Sequence, residues 1–80
     1  MREPIVAPDL GWPHLVVSVW YVKPGEEVFA GDRVVELLLG SATFAIAAPC
    51  SGKLIEQRAV IGERVSPGQE IGSIDSEPEA

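Results

Sequence analysis

The chain has 80 residues, 46% of them apolar and 22% charged, which makes one small globular domain with a modest core. That length excludes a catalytic cleft between two domains, and with it a large multistep enzyme. Six Lys and Arg against twelve Asp and Glu leave a net charge of -6; Arg2, Lys23, Arg33, Lys53, Arg58 and Arg64 are scattered, which argues against a nucleic-acid partner.

From the N-terminus, MREPIVAPDL carries Glu3 and Asp9 and no apolar segment of signal-peptide length, so the expected location is the cytoplasm. Fifteen Pro and Gly residues break the rest into segments too short for helices and suited to strands. The strands expected in order are Ile5–Ala7, Leu15–Val22, Glu27–Phe29, Arg33–Leu39, Ala42–Ala47, Gly52–Gln57, Glu63–Val65 and Glu70–Ile74, rich in the Val, Ile and aromatic side chains that suit a pleated surface. Leu37–Ala48 is about half the roughly 20 residues that span a bilayer and is interrupted by Gly40, Ser41 and Thr43, so no membrane segment is expected. Residues 1-75 form the expected domain and 76-80 an acidic tail without fixed structure.

An internal repeat organises these strands. Laid over one another at an offset of 37, Gly25 falls on Gly62, Glu26 on Glu63, Val28 on Val65, Gly31 on Gly68, Val34 on Ile71 and Leu37 on Ile74. Each half supplies a glycine turn, a short strand, a second glycine turn and a longer strand, which implies two sheets packed face to face about a quasi-two-fold axis. Between the halves lies a hairpin: Gly40-Ser41 separates two apolar runs, glycine first and a small polar residue second, as in a type II′ loop. A two-residue loop fixes the register, placing Leu39 opposite Ala42, Leu38 opposite Thr43, Leu37 opposite Phe44 and Val35 opposite Ile46. The face holding Val35, Leu37, Leu39, Ala42, Phe44 and Ile46 is expected to look inward.

In order and spacing, these segments resemble the lipoyl domain of 2-oxoacid dehydrogenase complexes and the related biotinyl carrier domain, over nearly the whole chain. Pro8-Asp9-Leu10-Gly11 is similar to the family's P-x-[LI]-G, and Val17 to Val28 to its I-x-x-W-x-V-K-x-G-D-x-V. Gly31-Asp32-x-Val34-x-Glu36-Leu37 matches G-D-x-L-x-E-[IV]; Ala48-Pro49-x-x-Gly52 and the stretch Gly62 to Ile74 match the segments after the hairpin. The resemblance implies an all-β fold, a flattened β-barrel of two short antiparallel sheets.

The departure falls at the hairpin tip, where the family reads E-T-D-K-A and this chain reads Leu38-Leu39-Gly40-Ser41-Ala42. Ser41 stands at the acceptor-lysine position and Gly40 replaces the aspartate before it. A lipoyl or biotinyl arm is joined to a lysine amine, and a serine hydroxyl supplies neither that nucleophile nor the long stem. Lys23 and Lys53 are the chain's two lysines, and the resemblance places both away from the tip. Biotinyl domains flank their lysine with methionines, which are missing here, so the closer likeness is to lipoyl domains.

The expected function is therefore a non-catalytic, lipoyl-like interaction or accessory module, with no cofactor, whose partner is another protein or a second copy. The alternative is a true carrier with an unorthodox attachment or an altered lysine. Leu38 and Leu39 replace polar tip residues, and Trp12, in a loop that lies beside the hairpin in the family, is of the type found at binding hot spots. Trp12, Leu38 and Leu39 are the candidate partner-binding residues; the competing account turns Leu39 into the core and packs Trp12 over its loop. No catalytic residue is assigned: Cys50 has no basic neighbour in sequence to activate it and Ser41 no identifiable base. With His14 the one histidine and Cys50 the one cysteine, neither a disulfide nor a zinc site is expected.

Overall fold

The computed structural model describes residues 1–76, which form eight strands and no helix: β1 (Arg2–Val6), β2 (Leu15–Trp20), β3 (Glu27–Val28), β4 (Arg33–Leu39), β5 (Ala42–Ala47), β6 (Gly52–Gln57), β7 (Arg64–Val65) and β8 (Glu70–Ser76). They build two four-stranded antiparallel sheets, one in the order β1-β8-β6-β3 and one in the order β5-β4-β2-β7. The architecture is the expected all-β pair of sheets with β1, β3, β5 and β7 as edges, so the barrel is not closed.

Both inner faces share one core, with Leu15, Leu37 and Val65 from the second sheet meeting Ile5, Leu54 and Ile74 from the first. Full burial of each such side chain is worth about 1.5–3 kcal/mol. A bulge between Arg33 and Val35 breaks the strict alternation of β4 and lets both Val34 and Val35 face the core. At the far end of β2, Trp20 lays its ring over Gly72, where an added Cβ would lie 3.0 Å from the ring tip, and its indole N–H donates to the Ala59 carbonyl at 2.9 Å.

The spacing of 37 recurs in the elements, from β2 to β6, from β3 to β7 and from β4 to β8. It also recurs in the turns. The Gly25 amide donates to Leu54 and the Gly62 amide to Val17, both at 2.7 Å. Asp32 accepts from the Phe29 amide at 2.9 Å and Gln69 from the Ser66 amide at 3.0 Å. The two sheets are thus built by one hydrogen-bonding scheme used twice.

Several boundaries differ from the sequence expectation: β1 ends at Val6 rather than Ala7, β3 at Val28 rather than Phe29, and β7 begins at Arg64 rather than Glu63. β1 begins at Arg2 and β2 stops at Trp20. Ser76, expected in the tail, closes β8: its amide donates to the Met1 carbonyl at 2.8 Å and its hydroxyl at 2.9 Å. The remaining tail residues 77–80 lie outside the described part. The hairpin has the expected pairs from Leu39↔Ala42 to Val35↔Ile46, but its inward face is not wholly covered. Val35 and Leu37 are buried, whereas Ala42 and Phe44 are exposed, because β5 is the outermost strand of its sheet and lies open on one flank.

Candidate functional site

The tip of the β4–β5 hairpin is built from two residues. Gly40 takes φ 61 while, among the described residues, none other than glycine has positive φ, so only the first loop position is left-handed, as a type II′ turn requires. The loop before β2 reaches over this turn. Asp9 accepts from the Gly11 amide at 3.1 Å, a side-chain turn that folds the loop back and directs Trp12 to the hairpin. The six-membered ring of Trp12 lies on Gly40: a Cβ added there would meet the ring at 3.1, 3.5 and 3.6 Å. Glycine at the tip thus serves both the turn and the close approach of the indole.

The candidate residues do not share one face. Trp12 remains 48% exposed above the tip, and Leu38, on the outer face of its sheet, is 39% exposed. Leu39 points the opposite way, as adjacent strand residues must, and packs half-buried against the core. Ser41 is exposed and offers a hydroxyl. Of the two lysines, Lys53 lies in β6 opposite Asp75 and Glu27, and Lys23 lies in the turn leading to β3.

A feature the sequence reading missed is the contrast between the two outer faces. On the first sheet, register aligns Arg2, Asp75, Lys53 and Glu27 across all four strands. The equivalent row of the second sheet is Thr43, Leu38, Val16 and Arg64. The first face is further knit by Arg58, which pairs with Glu56 at 3.1 Å and Glu70 at 3.3 Å, and by Arg2, which reaches the same two carboxylates. At the two central positions, where the first face has Asp75 and Lys53, the second has the apolar Leu38 and Val16. The signal was present in the repeat, since Val16 aligns with Lys53 and Leu38 with Asp75, but it emerges only once both residues are known to face outward.

Cys50 is half-buried against the core. Burial, followed by the negative charge of Glu3, pushes its thiol above the usual range, against a weaker opposing effect of the N-terminal ammonium. It is therefore a protonated and weakly nucleophilic thiol at neutral pH. Among the described residues, no three His, Cys, Asp or Glu side chains are grouped to hold a metal ion, and no helix is long and apolar enough to cross a membrane.

Comparison with known proteins places this geometry. The biotin–lipoyl family model, described as "Biotin-requiring enzyme", matches residues 3–74. The dihydrolipoyllysine-residue succinyltransferase component of the 2-oxoglutarate dehydrogenase complex of Rickettsia conorii is 31% identical over 77 residues, covering 94% of this chain and 20% of that protein. The component of the same description from Buchnera aphidicola subsp. Schizaphis graminum is 33% identical over 75 residues, covering 91% of this chain and 19% of that protein. The chain thus spans about a fifth of the length of these relatives. Among solved structures, the urea carboxylase of Kluyveromyces lactis superposes with a TM-score of 0.82 at 20% identity, over 94% of this chain and 6% of the carboxylase. A single-chain, multi-domain long-chain acyl-CoA carboxylase superposes with a TM-score of 0.81 at 18% identity, over 99% of this chain and 7% of that one. These two bear on the fold alone. With one family pattern running from the first strand to the last, this chain belongs to the biotin/lipoyl domain family.

Proposed function

We propose that this domain is a lipoyl-like module without an attachment lysine, which acts by binding other proteins and carries out no chemistry itself. The observation that carries this reading is the hairpin tip, where Gly40 and Ser41 occupy the positions of the family's aspartate and lysine and Trp12 is seated on Gly40. Amide attachment of a lipoyl or biotinyl group needs an amine on a long stem, and a serine hydroxyl is not one. The residues at the tip do not fit the group. Nor is the tip simply a carrier tip with one residue exchanged: the indole over Gly40 covers ground that an aspartate side chain would need.

What remains is recognition. Trp12 and Leu38 present apolar surface around the tip, with Leu39 supporting it from the core side, and the adjoining outer face carries Leu38 and Val16 where its counterpart carries Asp75 and Lys53. The succinyltransferase relatives are components of a 2-oxoglutarate dehydrogenase complex. A protein partner within an assembly of that kind, or of another lipoate- or biotin-carrier system, in the cytoplasm, suits such a surface.

Intact-mass measurement after coexpression with a lipoate ligase and a biotin ligase tests the first half of the proposal. The expected mass is that of the bare chain; an added lipoyl or biotinyl mass would overturn the reading and restore a carrier. For the second half, partner recovery with the wild-type domain is expected to fall at least tenfold, about 1.4 kcal/mol, for Trp12→Ala and Leu38→Glu. Full recovery by both folded variants would move the contact surface elsewhere.

A further inference from the structure

The two sheets each have one long edge strand, and the two edges are guarded very differently. β1 and β5 occupy equivalent outermost places in the orders β1-β8-β6-β3 and β5-β4-β2-β7. β1 reads Arg-Glu-Pro-Ile-Val, with two charges and a proline that lacks a backbone donor; these are devices that keep a sheet edge from pairing with another chain. β5 reads Ala-Thr-Phe-Ala-Ile-Ala, with neither charge nor proline. The other two edges, β3 and β7, are only two residues long.

We propose that β5 is a homodimerisation strand that pairs antiparallel with β5 of a second copy about a two-fold axis, joining two four-stranded sheets into one continuous sheet. The register follows from the hairpin. Its two-residue loop makes Leu39↔Ala42 the closing hydrogen-bonded pair, so by the alternation of an antiparallel ladder the N–H and C=O groups of Thr43, Ala45 and Ala47 point away from β4. A two-fold axis through Ala45 uses all three: Ala45 pairs with its own copy and Thr43 with Ala47 of the second chain.

The side chains complement each other in that register. Phe44 stands opposite Ile46 of the second copy on the inner side, an aromatic facing a β-branched residue in the closer, non-hydrogen-bonded type of pair. On the outer side, the small Ala45 pair lets the backbones approach and no charge opposes another. The pairing also covers Phe44, which is 41% exposed although its cross-strand neighbour Leu37 is fully buried. These self-complementary features favour a second copy over a foreign peptide, and an interface of this kind is the closed, isologous type. The inference does not depend on whether the hairpin tip carries a prosthetic group.

Sedimentation velocity across the micromolar-to-millimolar range tests it with two double variants at the exposed positions 43 and 47. The wild type is expected to approach twice the 8.5 kDa monomer mass. Thr43→Lys with Ala47→Lys sets lysine against lysine across the axis and is expected to be a monomer with an unchanged circular dichroism spectrum. Thr43→Lys with Ala47→Glu sets opposite charges together and is expected to remain a dimer. A wild-type monomer at every concentration overturns the proposal, as does a double-lysine variant that stays dimeric or a lysine–glutamate variant that falls apart while folded. Capture of an extended foreign peptide along β5 of a monomeric wild type would also replace the second copy as its occupant.

Discussion

Glu56 accepts from three donors at one carboxylate oxygen: Arg58 at 3.1 Å, Ser73 at 3.2 Å and Arg2 at 3.3 Å. The Arg58 hydrogen bond is the main reason its carboxyl is held below the ordinary glutamate range; Ser73 and Arg2 add to the effect and partial desolvation opposes it. The folded protein therefore binds this proton more weakly than the unfolded chain does. The stabilisation is complete above the unfolded value of about 4.3 and is lost as the pH falls through the lower folded value. Thermal unfolding followed from neutral pH to about pH 3, spanning that range, is expected to show a shallower acid decline for Glu56→Gln than for the wild type; identical slopes would remove Glu56 from the account. Individual contacts such as these were the least legible part of the sequence. The glycine and serine of the tip were readable as a turn, but Trp12 resting on Gly40 depends on a loop folding back from another part of the chain, and nothing in local spacing encodes that approach.

Strands carry the fold, and the repeat makes them comparable in pairs. Leu37 of β4 and Ile74 of β8 are equivalent under the offset of 37, and both are fully buried in the one core. Leu37→Ala and Ile74→Ala are each expected to cost about 2–5 kcal/mol, a large share of the stability of a domain this small. Urea denaturation of the two variants checks this, and a near-neutral result at either site would contradict the shared core. All eight strands were foreseeable, because turn residues punctuate the chain and a two-residue loop fixes the hairpin register. The bulges were not. That between Arg33 and Val35 is set by what the opposite sheet offers to Val34 and Val35, and alternation within one strand does not contain that information. Phe44 shows the same limit: period two assigned its face correctly, while its exposure came from the position of β5 in the sheet order.

At the scale of the molecule, two sheets built by one scheme differ in what they show to their surroundings. One outer face is laced with ion pairs, and the other carries Leu38 and Val16 beside the tip. Family and architecture were legible because glycines and apolar positions recur in order; the polarity of the faces needed the register of both sheets. The ends of the described chain complete the correspondence. The Met1 ammonium donates to the Ser76 carbonyl at 3.1 Å and pairs with Asp75 at 3.2 Å, so β8 and β1 lie side by side as β4 and β5 do across their loop. Residues 1–76 trace in this sense nearly a ring, open at one of two matching places. A circular permutant, joined from Ser76 to Met1 by a short flexible linker and opened between Gly40 and Ser41, is expected to keep the native circular dichroism spectrum and unfold in one cooperative step. Loss of cooperative unfolding would show that the covalent bend, rather than the strands it joins, is what this architecture needs.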